Sequence, residues 1–162
     1  MSSRLASIVA TLALVAAIGT LYLGRALLAH SPLAIAAQAA AVALMLWARW
    51  TFGRRSFHAA ANPTAGGLVT AGPYRYWRHP IYAAVLLFVW AGTVDRLLAR
   101  AGGAAAAAAP VRLTTTGIVA LAAVATLATV VRIRAEERLL RATYPEYERY
   151  AASTKRLVPF LF

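Results

Sequence analysis

The sequence predicts an all-α fold, a polytopic membrane helical bundle of about four transmembrane helices, with a cytoplasmic C-terminal amphipathic helical tail. Three observations predict this fold. The 162-residue chain is 61% hydrophobic, which is more than a typical soluble domain carries. Its apolar residues gather in four long runs. Most of its 17 basic residues, nearly all of them arginine, stand at the ends of those runs, where they can meet lipid phosphates.

The four apolar runs cover about residues 7 to 29, 33 to 52, 80 to 99 and 113 to 131. At about 1.5 Å per residue, each run is long enough to cross a hydrocarbon core of about 30 Å. The first run exceeds the apolar core of a typical signal peptide, so we interpret it as a retained span. Helices are expected because lipid offers no partners to free backbone N–H and C=O groups.

The connections between the runs differ in character. AHSPL, between the first two, is short and predicts a tight hairpin, whereas the linker from Gly53 to Tyr76 is long, polar and rich in glycine and proline. RAGGAAAAAAPVR, between the third and fourth, is of low complexity. Asp95 and Arg96 interrupt the third run, and we expect them to neutralise each other near the membrane surface, with a functional intramembrane pair as the alternative.

The distribution of basic residues predicts the orientation. With four spans, Arg4, the basic residues of the 53–79 linker and those of the tail from Arg132 to Arg156 lie on one side. They outnumber the arginines of the 96–112 linker, and the positive-inside rule makes their side cytoplasmic. We therefore expect a multi-pass protein of the cell inner (plasma) membrane with both termini in the cytoplasm. Nucleic acid is not expected as a partner, because the basic residues follow the apolar runs.

Beyond the fourth run, RIRAEERLLRA continues the helix with charged residues. Arg132 and Glu136 stand four residues apart, as do Glu137 and Arg141, which is the spacing of ion pairs on a helix. Simple pairing on a solvated face is therefore one explanation of these glutamates.

The proline of TYPE, at positions 143 to 146, is expected to end this helix near Thr143. The same four residues match a capping box with Thr143 as N-cap and Glu146 three positions later, which predicts a second short helix to about Ser153. This helix and the end of the fourth run would form the amphipathic tail.

Two polar segments stand at the same predicted membrane surface. GPYRYWRHPIY, residues 72–82, precedes the third span, and four of the five acidic residues lie between positions 136 and 148, after the fourth. The two segments can therefore close one site at the cytoplasmic end of the bundle. The alternative is that Arg78 and His79 only anchor the third helix in the interface.

Together, RHPIY before a span and RIRAEERLLRATYPEYERYAASTKRLVPFLF some fifty residues later resemble the isoprenylcysteine carboxyl methyltransferase and phospholipid methyltransferase superfamily. The resemblance implies one membrane methyltransferase domain, with an N-terminal helical hairpin and linker at 1–65 and a cofactor-binding catalytic core at 66–162. It implies S-adenosylmethionine as the cofactor. The chain departs from many relatives at Ala84, where they have glycine.

The resemblance also implies roles for particular residues. Arg132 is implied to be catalytic, facing the methyl acceptor. The residues implied to bind the cofactor are His79, Pro80, Ile81, Tyr82, Glu136 and Glu137.

Elementary chemistry agrees with these assignments. A carboxylate suits the ammonium of S-adenosylmethionine, and the N–H groups of a helix that starts at Pro80 suit its carboxylate. Aromatic faces such as those of Trp77 and Tyr82 attract a sulfonium. Methyl transfer requires neither a metal nor a covalent enzyme intermediate, in agreement with a chain that has no cysteine and no HExxH motif. No metal site is predicted.

The methyl acceptor is expected to be a lipophilic or small molecule that bears a carboxylate, an amine or a thiol and enters from the membrane lipids. A prenylated cysteine, a phospholipid amine, a fatty acid and a small thiol all satisfy this description, because pocket shape decides among them. Two alternatives to a methyltransferase remain at this point. One is a reductase-like relative that uses NADPH, and the other is a non-catalytic membrane scaffold subunit.

Overall fold

The computed structural model describes residues 3–53, 67–103 and 109–157. These parts form five α-helices: α1 (Ser3–Leu23), α2 (Pro32–Phe52), α3 (Pro80–Ala101), α4 (Thr115–Thr143) and α5 (Tyr147–Ser153). A 3₁₀ turn, Gly72–Arg75, precedes α3. No strand occurs in the described ranges, so the prediction of an all-α fold is confirmed there.

Helices α1 to α4 are each long and apolar enough to cross a membrane, as four runs of apolar sequence predicted. The first helix is shorter than expected, because it ends at Leu23 and not near residue 29. Arg25 adopts a left-handed backbone with φ of 51°, and the chain then folds back so that Ala26 and Leu27 are buried. Apolar composition continues through this connection although the helix does not.

The helix ends follow local chemistry. Ser31 caps α2 by accepting the N–H of Ala34, and Thr114 caps α4 by accepting the N–H of Gly117 at 3.0 Å. α4 ends at Thr143, as we predicted from Pro145 two residues later.

The predicted capping box at 143 to 146 is wrong. Glu146 is the residue that precedes α5, and its side chain makes no capping hydrogen bond. Thr143 still belongs to α4, and its hydroxyl donates to the carbonyl of Leu139 at 2.9 Å. A threonine inside a helix commonly satisfies its hydroxyl in this way, which removes it as a cap for the next helix.

The helices pack in antiparallel order, with α1 on α4, α2 on α3 and α3 on α4. Their core is built from alanines and a few larger side chains, including Leu21, Val89 and Ile118. Small residues let helices approach closely, which matters most where lipid surrounds the bundle. Large apolar side chains such as Leu12, Leu127 and Trp50 remain exposed on the outside, where a membrane would cover them.

Asp95 ties α3 to the connection between α1 and α2. Its carboxylate accepts the backbone N–H of His30 at 2.6 Å and that of Ser31 at 3.3 Å. The predicted pairing of Asp95 with Arg96 is therefore wrong. Consecutive residues of a helix point in different directions and do not face each other, so the buried carboxylate is satisfied by a neighbouring segment.

Gln38 of α2 fastens the same connection from the other side. Its amide donates to the carbonyls of Leu27 at 2.7 Å and Phe88 at 3.1 Å, and its oxygen accepts the N–H of Ala29. One buried amide thus joins α2, α3 and the chain between α1 and α2.

Gly92 permits this close approach, and its replacement is expected to destabilise the protein. A Cβ at Gly92 would lie 1.8 Å from the carbonyl oxygen of Leu27. We expect Gly92→Ala to lower the free energy of unfolding by about 1 to 3 kcal/mol, because the backbone must move to admit the methyl group. Thermal unfolding in detergent micelles, followed by circular dichroism, measures the change.

Gly19→Ala is the matched control for Gly92→Ala. A Cβ at Gly19, also within a helix, meets no heavy atom within 4 Å. Its replacement is expected to leave the stability within about 1 kcal/mol of wild type. Equal melting temperatures for the two variants would contradict the contact between Gly92 and Leu27.

Candidate functional site

The polar end of the bundle contains the starts of α1 and α3, the ends of α2 and α4, and α5. Here the chain after α5 returns alongside the residues that precede α3. The N–H of Arg78 donates to the carbonyl of Lys155 at 2.7 Å, and the N–H of His79 donates to that of Arg156 at 3.1 Å. The N–H of Lys155 donates in turn to the carbonyl of Tyr76. The tail is thereby fixed against the start of α3.

Glu137 of α4 is the buried centre of this end, with a side chain that is only 2% exposed. Its carboxylate accepts hydrogen bonds from Arg78 Nε and from Arg156 Nε, each at 3.2 Å. His79 Nε2 lies 3.4 Å from Glu137 Oε1, and Arg141 Nη1 lies 3.6 Å from Glu137 Oε2. We call these five residues the Glu137 cluster. A charge this deeply buried requires such partners, because desolvation otherwise disfavours it.

Arg78 binds the tail to the rest of this cluster. Its side chain is 10% exposed and donates to the carbonyl of Ala151 at 2.7 Å. It also donates to the carbonyl and contacts the hydroxyl of Thr154. One guanidinium therefore satisfies carbonyls at the end of α5 while it neutralises Glu137 on α4.

A second group of polar residues is centred on Tyr82 in the first turn of α3. Its hydroxyl donates to Glu136 Oε2 at 3.1 Å and accepts a hydrogen bond from Arg132 Nε at 3.0 Å. Arg132 also donates to the carbonyl of Ser7 at 3.4 Å and to the hydroxyl of Thr11. This Tyr82 cluster of Tyr82, Glu136 and Arg132 thus connects α1, α3 and α4.

The structure brings together the residues that the sequence singled out. His79 is buried at the N-cap position of α3, and Pro80 is the first residue of that helix. The rings of His79 and Tyr82 lie 5.8 Å apart and link the two clusters.

The other predicted residues lie close by. Ile81 presents a partly exposed apolar side chain in the same turn. Glu136 and Glu137 are adjacent on α4 but face different clusters, with Glu136 on Tyr82 and Glu137 on His79. The resemblance had grouped the two glutamates together.

Sequence reasoning missed Arg78 and Arg156 as members of the site. It treated the first only as a possible interfacial anchor and counted the second only as tail charge. The signal for these two arginines is the small number of acidic residues. A carboxylate that is buried beside apolar helices must be neutralised, and in this chain arginines are the most abundant groups that can do so.

Two tyrosines support the cluster as neutral groups. Tyr147 is fully buried, and its burial, together with the nearby Glu137, raises the pKa of its hydroxyl. Burial also raises the pKa of Tyr150 to about 12, and its hydroxyl donates to the carbonyl of Tyr74 at 2.7 Å. Both side chains therefore stay protonated near neutral pH and hold α5 in place without adding negative charge.

These observations define a class of protein: a small helical bundle with four helices able to cross a membrane and with charged side chains from distant segments joined at one end. No family model, curated protein or solved structure matches the chain. Within the described ranges, no group of three or more histidine, aspartate or glutamate residues is placed to hold a metal ion. The two clusters are therefore the features of this chain that bear on its function.

Proposed function

We propose that this protein is an integral membrane methyltransferase that transfers a methyl group from S-adenosylmethionine to a lipophilic or small acceptor. One observation carries the proposal. The segments 79–82 and 136–137, which the sequence resemblance assigns to the cofactor, meet at one end of the bundle. His79 lies 3.4 Å from Glu137, and Tyr82 donates to Glu136 at 3.1 Å. A family resemblance without this proximity would have little physical support.

The chain offers both a hydrogen-bond acceptor and hydrogen-bond donors that suit S-adenosylmethionine. Glu136 is partly exposed, and its carboxylate suits the ammonium of the cofactor. The first N–H groups of α3, those of Ile81 and Tyr82, have no acceptor within the helix and suit the cofactor carboxylate.

Glu137 has a different part in the proposal. Arg78, His79 and Arg156 already engage its carboxylate, so we assign it the positioning of His79 and of the start of α3. The ammonium is left to Glu136 alone. This division refines the resemblance, which implied both glutamates as ligands.

When bound, the cofactor supplies an electrophilic methyl group on a sulfonium, which the acceptor displaces in line. The chain contributes position and the exclusion of water. The ring of Trp77 can supply an aromatic face for the sulfonium, an interaction of about 0.5 to 2 kcal/mol. The Tyr82 ring already has the guanidinium of Arg132 at 5.8 Å from its centroid. Arg132 lies among α1, α3 and α4, where it can orient an anionic group of an acceptor that arrives from the membrane.

The distribution of charge supports a cytoplasmic site. The end of the bundle that carries the two clusters contains four arginines that belong to them: Arg78, Arg132, Arg141 and Arg156. The positive-inside rule assigns such an end to the cytoplasm, and this supports our proposal of a multi-pass protein of the inner (plasma) membrane with a cytoplasmic site.

A second candidate function follows from the saturation of Glu137. A carboxylate that is buried and held by arginines is typical of a structural ion-pair network, and this favours a non-catalytic membrane scaffold. The third candidate is the alternative that remained from the sequence, a reductase-like protein that uses NADPH. Ligand binding distinguishes the three.

We expect the full-length chain in detergent micelles to bind S-adenosylmethionine and S-adenosylhomocysteine saturably, and not to bind NADPH. Isothermal titration calorimetry measures all three. Binding of NADPH alone would favour the reductase, and binding of none would favour the scaffold. Incorporation of tritiated methyl groups into extracted membranes then identifies the acceptor.

A further inference from the structure

A groove lies on the outside of the polar end, between the segment that precedes α3 and helix α5. It has a volume of about 460 Å³, and its walls come from residues 68 to 75 on one side and residues 146 to 154 on the other. None of His79, Tyr82, Glu136 or Glu137 lines it. The groove is therefore a different place from the proposed cofactor site.

Two arginines from distant parts of the chain face this groove. Arg75 belongs to the 3₁₀ turn and Arg149 to α5, and both are exposed. Among the residues that the structure describes, no carboxylate is paired with either guanidinium, although Arg141 and Arg156 close by are paired with glutamates. Glu146 is the one acidic residue among the groove residues, so the groove has a net charge of +1.

The chemistry of the lining selects a phosphate group as the ligand. Guanidinium groups bind phosphate oxygens through pairs of charge-assisted hydrogen bonds. The hydroxyl of Thr70 adds a further polar group, and Leu68 provides an apolar one. A phosphodiester carries a single negative charge, which matches the net charge of the groove.

The position of the groove identifies the source of that phosphate. It lies beside the segment that leads into α3, which is long and apolar enough to cross a membrane, and its residue Arg75 stands five positions before that helix begins at Pro80. The ends of such helices lie at the depth of the lipid headgroups. We infer that Arg75 and Arg149 form a binding site for the phosphate of a phospholipid headgroup, separate from the cofactor site.

The site is coupled to the Glu137 cluster through Thr154. This residue lines the groove, and its carbonyl accepts a hydrogen bond from Arg78. A bound headgroup would bridge the segment before α3 to α5, the same two segments that Arg78 joins from inside. The lipid would thereby hold the tail against the bundle.

The test uses the full-length chain in an uncharged maltoside detergent, titrated with dihexanoylphosphatidylglycerol below its micelle-forming concentration. We expect saturable binding by calorimetry. Arg75→Gln and Arg149→Gln are each expected to weaken it about tenfold, because each removes a charge-assisted contact. Glu146→Gln is expected to tighten it, because it removes the one negative charge. Because all three side chains are exposed, the three variants are expected to fold as the wild type does.

Arg138→Gln is the matched control, since Arg138 is an exposed arginine of α4 that does not line the groove. We expect the affinity of Arg138→Gln for the lipid to stay within about twofold of that of the wild type. An equal loss in Arg138→Gln would show diffuse attraction to charge and overturn the site. A titration with inorganic phosphate is the second arm. Binding of free phosphate as tightly as the lipid, or no saturable lipid binding, would also overturn the inference.

Discussion

Glu137→Gln is expected to lower the free energy of unfolding by about 3 to 5 kcal/mol, the usual cost of removing one partner from a buried ion pair. The substitution keeps the shape of the side chain and removes its charge. Arg78, whose side chain is 10% exposed, is then left buried without an anion. Arg156, whose Nε lies 3.2 Å from each carboxylate oxygen and whose Nη2 lies 3.1 Å from Oε2, loses this anionic partner. Unfolding in mixed micelles with increasing dodecyl sulfate, followed by circular dichroism, measures the loss.

Glu148→Gln provides the control for this loss. Glu148 also pairs with an arginine, Arg141, at 2.8 Å, but its side chain is 70% exposed. Exposed pairs contribute little, so we expect a change of less than about 1 kcal/mol. If the two variants proved equally stable, the Glu137 cluster would not hold this end of the molecule together.

The spans were predictable because their physical cause is local. A continuous apolar run of sufficient length must form a helix in lipid, and Pro145 marks the end of α4. The end of α1 was not predictable in this way. Residues such as Ala26 and Leu27 are as apolar as the helix before them, and they are buried in a connection held by Gln38. Hydropathy records burial and does not distinguish a helix from a loop that neighbouring helices cover.

The candidate site was predictable only as a meeting of segments. RHPIY and the paired glutamates are recognisable in the sequence, and the antiparallel order of four spans puts them at one end. The separate environments of Glu136 and Glu137 could not be predicted from the sequence. Neighbouring residues of a helix point about 100° apart, so the rotation of α4 against α3 decides which glutamate meets Tyr82 and which meets His79.

Arg156 shows a second limit of sequence reasoning. Its contact with Glu137 depends on the tail folding back, so that Lys155 and Arg156 lie beside Arg78 and His79 through backbone hydrogen bonds. No periodic pattern in the tail sequence predicts that this segment pairs with the residues before α3. It follows from the need to neutralise one buried carboxylate and to satisfy the carbonyls at the end of α5.

Glu136→Gln tests the proposed function where Glu137→Gln tests the fold. Glutamine at position 136 can still accept the hydrogen bond from the Tyr82 hydroxyl, which is 3.1 Å from the carboxylate, so the Tyr82 cluster keeps its geometry. The negative charge proposed to meet the cofactor ammonium is lost. A hydrogen bond to a charged group contributes about 1.5 to 3 kcal/mol, so we expect the affinity for S-adenosylmethionine to fall about 10- to 100-fold.

The decisive result is the contrast between affinity and stability. Calorimetry with S-adenosylhomocysteine is expected to show the loss in Glu136→Gln while its unfolding in mixed micelles matches wild type. Glu148→Gln, which removes the same charge from a side chain that is 70% exposed, is expected to bind as wild type does. Undiminished binding by Glu136→Gln would remove Glu136 from the cofactor site. A parallel loss in Glu148→Gln would instead attribute the effect to the overall charge of this end, because a specific contact with the ammonium can involve only the carboxylate that faces it.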